Sequence, residues 1–175
     1  MEQQTAKLAD KARKLKLLLT DCDGVLTDGG VYYSAKGEEL KRFSLRDGMG
    51  VERLRKFARM EVGIVSGEAS PSLKKRAEKL RIHELHCGIR NKPGTLREIM
   101  DNHQLAPEEI AYIGDDSNDL EALSMVGLSA CPADALPEVA EMVDYVCRLK
   151  GGEGAFREFC DLIISLKKKE DKDER

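Results

Sequence analysis

The chain has 175 residues, with 29 Lys and Arg against 32 Asp and Glu, a net charge of -3, and 41% apolar residues. At ~150 residues per domain this predicts one unit, 1–175, with a sizeable core, and the balanced charge leaves no broad basic face for nucleic acid. No apolar run approaches the ~18 residues of a membrane span, and the charged start MEQQTAKLADKARK has no secretory h-region. The expectation is a cytoplasmic protein without nucleic-acid or membrane partners.

The first predicted strand, Leu15 to Thr20, runs into Asp21-Cys22-Asp23-Gly24. Next, Val31 to Tyr33 and Leu40 to Phe43 flank Ala35-Lys36-Gly37 like two strands joined by a Gly-containing turn, a β-hairpin flap over about 25–46. Val31, Tyr32 and Tyr33 have no second layer to pack against in a domain of this size, so the hairpin is expected to be an interface element. Val51, Leu54, Phe57 and Ala58 follow at helical spacing as a core stripe, and a strand from Val62 to Val65 ends in Ser66-Gly67. After a weak strand at Leu85 to Cys87, Lys92-Pro93-Gly94 precedes a helix predicted from Thr95 to His103. The strand Ile110 to Ile113 leads into Gly114-Asp115-Asp116-Ser117-Asn118-Asp119, and strands at Leu128 to Cys131 and Tyr145 to Cys147 complete the set. Gly151-Gly152-Glu153-Gly154 then opens a terminal helix, Ala155 to Leu166, striped by Phe156, Phe159 and Ile163; residues 167–175 form a charged tail. Five cysteines, odd in number and without a CxxC pair, fit free buried thiols.

Short apolar strands alternating with amphipathic helices are the pattern of an α/β fold with a parallel sheet. In such sheets ligands bind beyond the carboxyl ends of the strands, where Asp21, Asp23, Asp115 and Asp119 all fall. Carboxylates gathered there repel one another unless a cation neutralises them, and a hard divalent ion such as Mg²⁺ suits oxygen donors. The Ser66 hydroxyl, the nearby backbone N–H groups of Gly67 and the Lys92 ammonium are what phosphoryl oxygens need.

The ordered set Asp-x-Asp, Ser, Lys, Gly-Asp-Asp-x-x-Asp resembles the haloacid dehalogenase superfamily over residues 15–160. The resemblance implies a Rossmann-like parallel sheet flanked by helices, with Asp21 as the nucleophile that forms an aspartyl phosphate. It also implies that Asp23 is the general acid and base, with Mg²⁺ held by Asp21, the Asp23 backbone carbonyl and Asp115. Ser66 and Lys92 would hold the phosphoryl oxygens, and Asp119 would orient Lys92 or a metal-bound water. An acid at position 23 favours phosphate esters over dehalogenation, since only an ester has a leaving oxygen to protonate.

Neither the stretch between Asp23 and Ser66 nor that between Lys92 and Asp115 has room for a cap domain. With the flap and the segment GGEGAFRE, the chain looks like the capless subfamily that dephosphorylates 2-keto-3-deoxy sugar-acid phosphates, and the resemblance implies a homotetramer formed through the hairpins. Octulosonate 8-phosphate enzymes, which serve lipopolysaccharide sugar synthesis, carry Thr-Gly-Arg where this chain has Ser66-Gly67-Glu68. Glu68, with Arg76 and Lys79 on the next helix, is similar to the nononate 9-phosphate enzymes. The expected substrate is the eight-carbon 8-phosphate, with the nine-carbon 9-phosphate as the alternative and Glu68, Arg76 and Lys79 as substrate contacts. Two further alternatives are an idle tetramerisation module, disfavoured by the intact acid and lysine set, and a phosphoacceptor receiver domain, disfavoured by Asp-x-Asp and the hairpin.

Overall fold

The structure, a computed structural model, describes residues 2–168. The chain runs α1 (Glu2–Lys14), β1 (Leu17–Thr20), β2 (Val31–Ser34), β3 (Gly37–Lys41), α2 (Leu45–Ala58), β4 (Glu61–Ser66), α3 (Pro71–Leu80), β5 (Glu84–Cys87) and α4 (Lys92–His103). It continues through β6 (Ile110–Ile113), α5 (Leu120–Ser124), β7 (Leu128–Cys131), α6 (Pro137–Met142), β8 (Tyr145–Val146) and α7 (Ala155–Lys168). Six strands form a parallel sheet in the order β5-β4-β1-β6-β7-β8, while β2 and β3 make a separate antiparallel hairpin. Among the described residues there is no cap.

β1 lies at the centre because all four of its residues are buried, as an uninterrupted apolar strand covered on both faces must be. Alternation divides it between two cores: Leu18 packs with α1, α2, α3 and α7, whereas Leu17 and Leu19 pack with α4, α5 and α6. The chain first builds outward from β1 to β4 and β5, then returns to place β6 on the other side of β1. The reversal point therefore lies between the tips of β1 and β6, where a crevice opens in a doubly wound sheet.

On the first face α7 packs against α2 through Phe156, Phe159, Cys160 and Ile163, all fully buried. Each phenylalanine contributes roughly 2–3 kcal/mol by leaving water. Asp47 of α2 adds a polar fastening, since its Oδ1 accepts the Arg157 N–H at 2.9 Å in the first turn of α7, where a helix has unpaired donors.

Several sequence expectations shift. β1 begins at Leu17 rather than Leu15, because Leu15 already sits in the turn after α1, its N–H on the Ala12 carbonyl. The hairpin's second strand is Gly37–Lys41, and Phe43 packs instead against the core. The helix predicted from Thr95 starts at Lys92, because the Asn91 side chain caps it by accepting the Gly94 N–H. Phe57 is not core: the residue is 38% exposed, and its ring is approached by Arg53, Lys56 and Lys168. Helix α1 was not predicted, since only Leu8, Ala9 and Ala12 turn toward the core. Of the charged tail, 167–168 belong to α7 and 169–175 lie outside the described residues. All five cysteines are free, four of them buried.

Candidate active site

Asp21 follows β1 directly and is tied to the β6 tip through its N–H on the Ile113 carbonyl at 3.0 Å. Its side chain is 7% exposed, with Oδ1 accepting the Cys22 N–H at 2.6 Å and Oδ2 3.1 Å from Lys92 Nζ. Lys92, on the first turn of α4, is 1% exposed and donates to Asp119 Oδ1 at 2.7 Å. The Tyr112 hydroxyl donates to the same oxygen at 2.6 Å, while Asp119 Oδ2 accepts the N–H groups of Asp115 and Asp116. Both Asp119 oxygens are thus occupied by hydrogen bonds.

Asp115 differs. Its Oδ1 is buried and, among the described residues, has no hydrogen-bond partner, although one oxygen from each of Asp21, Asp115 and Asp119 lies within 4.8 Å of the others. A Cβ on Gly24 would lie 2.0 Å from Asp115 Oδ2, so only glycine, at φ +81°, lets the β1 loop close over this carboxylate. The electrostatic cost is visible in both groups. Burial, then the charge of Asp119, pushes Asp21 up to about 7 against the pull of Lys92. Burial, then the charges of Asp21, Asp119 and Asp116, pushes Asp115 up to about 8. Buried oxygens that repel one another, one of them unpartnered, suit a hard divalent cation. Asp21 and Asp115 are the side chains free to hold it.

Asp23 faces another way. Lys41, on the last residue of β3, is 1% exposed in its side chain and lies 2.6 and 2.7 Å from the two Asp23 oxygens, with Glu38 Oε2 at 3.7 Å. Burial disfavours the Lys41 charge, but the hydrogen bond and charge of Asp23 outweigh it and raise its pKa. Thr27 Oγ1, 3.4 Å from Asp23 Oδ1, accepts the Gly29 N–H at 3.2 Å and holds the loop. That loop is closed from behind by the glycine segment: Gly152 N–H donates to the Val25 carbonyl at 2.9 Å, and a Cβ on Gly151 would overlap the Gly24 carbonyl. Arg42 bridges Asp28 at 3.0 Å and the Gly152 carbonyl at 3.3 Å.

Ser66 is buried at the β4 tip, its Oγ accepting the Glu68 N–H at 3.2 Å, and Gly67 approaches the Asn118 side chain, so the β4 and β6 loops meet. Glu68 is exposed beside them. Arg76 is directed elsewhere, donating to the Ser44 carbonyl at 2.8 Å and lying over Phe43. Lys79 is exposed near the far end of α3, beside Arg55, Lys56 and Arg81.

The sequence reading missed Lys41, Tyr112 and Thr27. Counting charges at the strand tips would have signalled Lys41, because four carboxylates stood against one lysine. A tyrosine in a buried strand must find a partner for its hydroxyl, which would have pointed to Tyr112.

The haloacid dehalogenase-like hydrolase family profile matches residues 82–157, which include Lys92, Asp115 and Asp119 but not Asp21. The 3-deoxy-D-manno-octulosonate 8-phosphate phosphatase KdsC of Escherichia coli K12 is 41% identical over 160 residues, 91% of this chain and 85% of that protein. The cobalt-bound deoxy-D-mannose-octulosonate 8-phosphate phosphatase of Haemophilus influenzae superposes with TM-score 0.87 at 41% identity, covering 91% of this chain and 92% of the other. The Moraxella catarrhalis octulosonate 8-phosphate phosphatase, solved with magnesium, phosphate and KDO, gives TM-score 0.89 at 31% identity and covers 95% of each chain. This chain belongs to the haloacid dehalogenase-like hydrolases, alongside the octulosonate 8-phosphate phosphatases.

Proposed function

We propose that the chain is a Mg²⁺-dependent phosphomonoesterase for 3-deoxy-D-manno-octulosonate 8-phosphate, working as one unit with 25–46 as its flap. The observation that carries this is the buried chain of Asp21, Lys92 and Asp119 beside the unpartnered Asp115 oxygen. The likeness to the octulosonate phosphatases supports the same substrate class.

Asp21 attacks phosphorus through a carboxylate oxygen, forming an aspartyl phosphate as the ester P–O bond breaks. Asp23 gives its proton to the departing sugar oxygen, then takes one from the water that attacks phosphorus and releases phosphate and Asp21. Lys92, steered by Asp119 and Tyr112, and the Ser66 hydroxyl hold the phosphoryl oxygens. Asp21, Asp115 and the Asp23 carbonyl would hold Mg²⁺, which when bound would supply the positive charge that offsets the repulsion between the carboxylate and the phosphate dianion. Glu68, exposed beside the Ser66 loop, would accept from a sugar hydroxyl. Arg76 and Lys79 would reach a substrate only from a neighbouring copy, in keeping with a homotetramer joined through the exposed Val31, Tyr32, Tyr33 and Leu40 of the hairpin. A cytoplasmic place and a role in lipopolysaccharide sugar synthesis fit this substrate, and no helix among the described residues is long and apolar enough to cross a membrane.

The nine-carbon 9-phosphate is the second reading, favoured by Glu68 where octulosonate enzymes carry Arg. Purified protein assayed on both acids and on para-nitrophenyl phosphate, with Mg²⁺ or EDTA, tests the proposal. Expected is Mg²⁺-dependent turnover with the highest kcat/KM on the eight-carbon ester. Full activity in chelator would overturn the metal assignment, preference for the nine-carbon acid would overturn the substrate, and a monomer by light scattering at micromolar concentration would overturn the tetramer.

A further inference from the structure

We infer that Lys41 is a positioning residue for Asp23, reaching in from the hairpin to fix the carboxyl group that serves the leaving oxygen. Asp21 is held by the Cys22 N–H and Lys92, and Asp119 by Lys92, Tyr112 and the N–H groups of Asp115 and Asp116, all on the sheet, its loops and the first turn of α4. Asp23 is not held in this way. Among the described residues its only hydrogen-bonding partners besides Lys41 are Thr27 Oγ1 at 3.4 Å and the Cys22 thiol at 3.9 Å, both too long to define a rotamer. Lys41 Nζ, by contrast, is 2.6 and 2.7 Å from its two oxygens.

The lysine is itself anchored. Glu38 Oε2 lies 3.7 Å from its ammonium, and Glu38 Oε1 accepts the hydroxyl of Ser70, the buried residue that caps α3 by accepting the Leu73 N–H. A line of contacts therefore runs from the start of α3 through Glu38 and Lys41 to Asp23, joining the β4 and β1 sides of the crevice. The hairpin is otherwise turned to solvent, with Tyr32 and Tyr33 62% and 71% exposed, yet it sends this one cation to 1% exposure. Burying an ammonium is costly without a counter-ion, so the hairpin's docking and the Asp23 rotamer stabilise each other.

The contact is compatible with proton donation. Lys41 meets both Asp23 oxygens in the structure; when the carboxyl group is protonated, one oxygen carries the proton toward the ester and the other keeps the ammonium contact. This inference rests on Asp23 being the proton donor, and the test separates the two assignments. A general acid matters for an alkyl ester, whose alkoxide leaves poorly, and little for para-nitrophenyl phosphate, whose phenolate leaves well. kcat is measured on both esters for wild type, Lys41→Met, Lys41→Arg and Asp23→Asn.

Lys41→Met should lose about tenfold more kcat on the octulosonate ester than on para-nitrophenyl phosphate, as part of the 10²–10⁴-fold expected for an acid, and Lys41→Arg should recover much of it. Lys41→Gln carries the same comparison should the methionine variant not fold. If Asp23→Asn shows this split and Lys41→Met loses both activities equally, the inference is overturned while the acid assignment stands. If Asp23→Asn shows no split, the acid assignment fails and the inference with it.

Discussion

Both ends of the central sheet carry clusters of charged side chains, and they are built in opposite ways. At the amino end each acid has its partner: Glu84, at the start of β5, meets His86 at 2.5 Å and His103 at 2.6 Å, and Glu61, at the start of β4, receives Arg55 at 2.7 Å. The groups are partly open to water, and His83 and His103 line a groove of about 300 Å³ there. Burial works against the Glu84 charge, but hydrogen bonds from the two imidazoles outweigh it and lower its pKa. At the carboxyl end Lys92 pairs with Asp21 and Asp119 but not Asp115, Asp21 and Asp115 are pushed far above the usual carboxylate range, and one Asp115 oxygen has no partner among the described residues. Balanced charge marks a stabilising surface, whereas buried and unbalanced charge marks a place prepared for a ligand.

The largest effect should come from the carboxyl end. Asp21→Asn is expected to lower kcat by at least about 10³-fold, yet to raise the Tm of the metal-free protein, because one member of a repelling set becomes neutral. A variant that kept wild-type turnover would remove Asp21 from the chemistry. One that melted lower in chelator would show that the cluster is not strained.

Next comes the pH dependence of stability, which should run in opposite directions at the two ends. Asp21 and Asp115 have folded pKa values raised from 3.8 to about 7 and about 8, so the folded state holds protons more tightly than the unfolded chain. Their contribution is complete below pH ~4 and is lost as pH climbs toward about 8. Mg²⁺, which competes with those protons, should therefore raise Tm more at pH 8 than at pH 5. A magnesium shift independent of pH would contradict this. Glu84, lowered from 4.5, contributes above its unfolded value, and that contribution disappears as acid protonates it.

Smaller still is the cost of breaking the amino-end cluster. Glu84→Gln should destabilise by no more than about 1 kcal/mol and leave kcat unchanged, since partly exposed pairs contribute little. Denaturant unfolding with parallel kinetics would check it, and a loss of turnover would mean that the two ends communicate. Glu61→Gln, with its side chain 65% exposed, should fall within about 0.5 kcal/mol of wild type.

The sequence determined much of this molecule by itself. Apolar strands bounded by Asp, Ser and Gly specify a parallel sheet, because a strand buried on both faces has to be apolar throughout and its polar residues collect at the tips. Asp21, Ser66, Lys92 and Asp115 were legible for that reason. Helix α1 was not, since its three inward residues make no stripe until the α7 face exists to receive them. Nor could Phe57 be told from a core residue by spacing alone: an i, i+3 pattern gives the angle around a helix but not where the neighbouring layer stops. Tertiary structure alone decided how the acids divide their work. Asp119 is saturated by Lys92 and Tyr112, Asp115 is left open under Gly24, and Asp23 is turned toward a lysine eighteen residues away in sequence. Carboxylates are alike in sequence; burial and the distance to the nearest cation make them different, and both are set by which strands and loops the topology brings together.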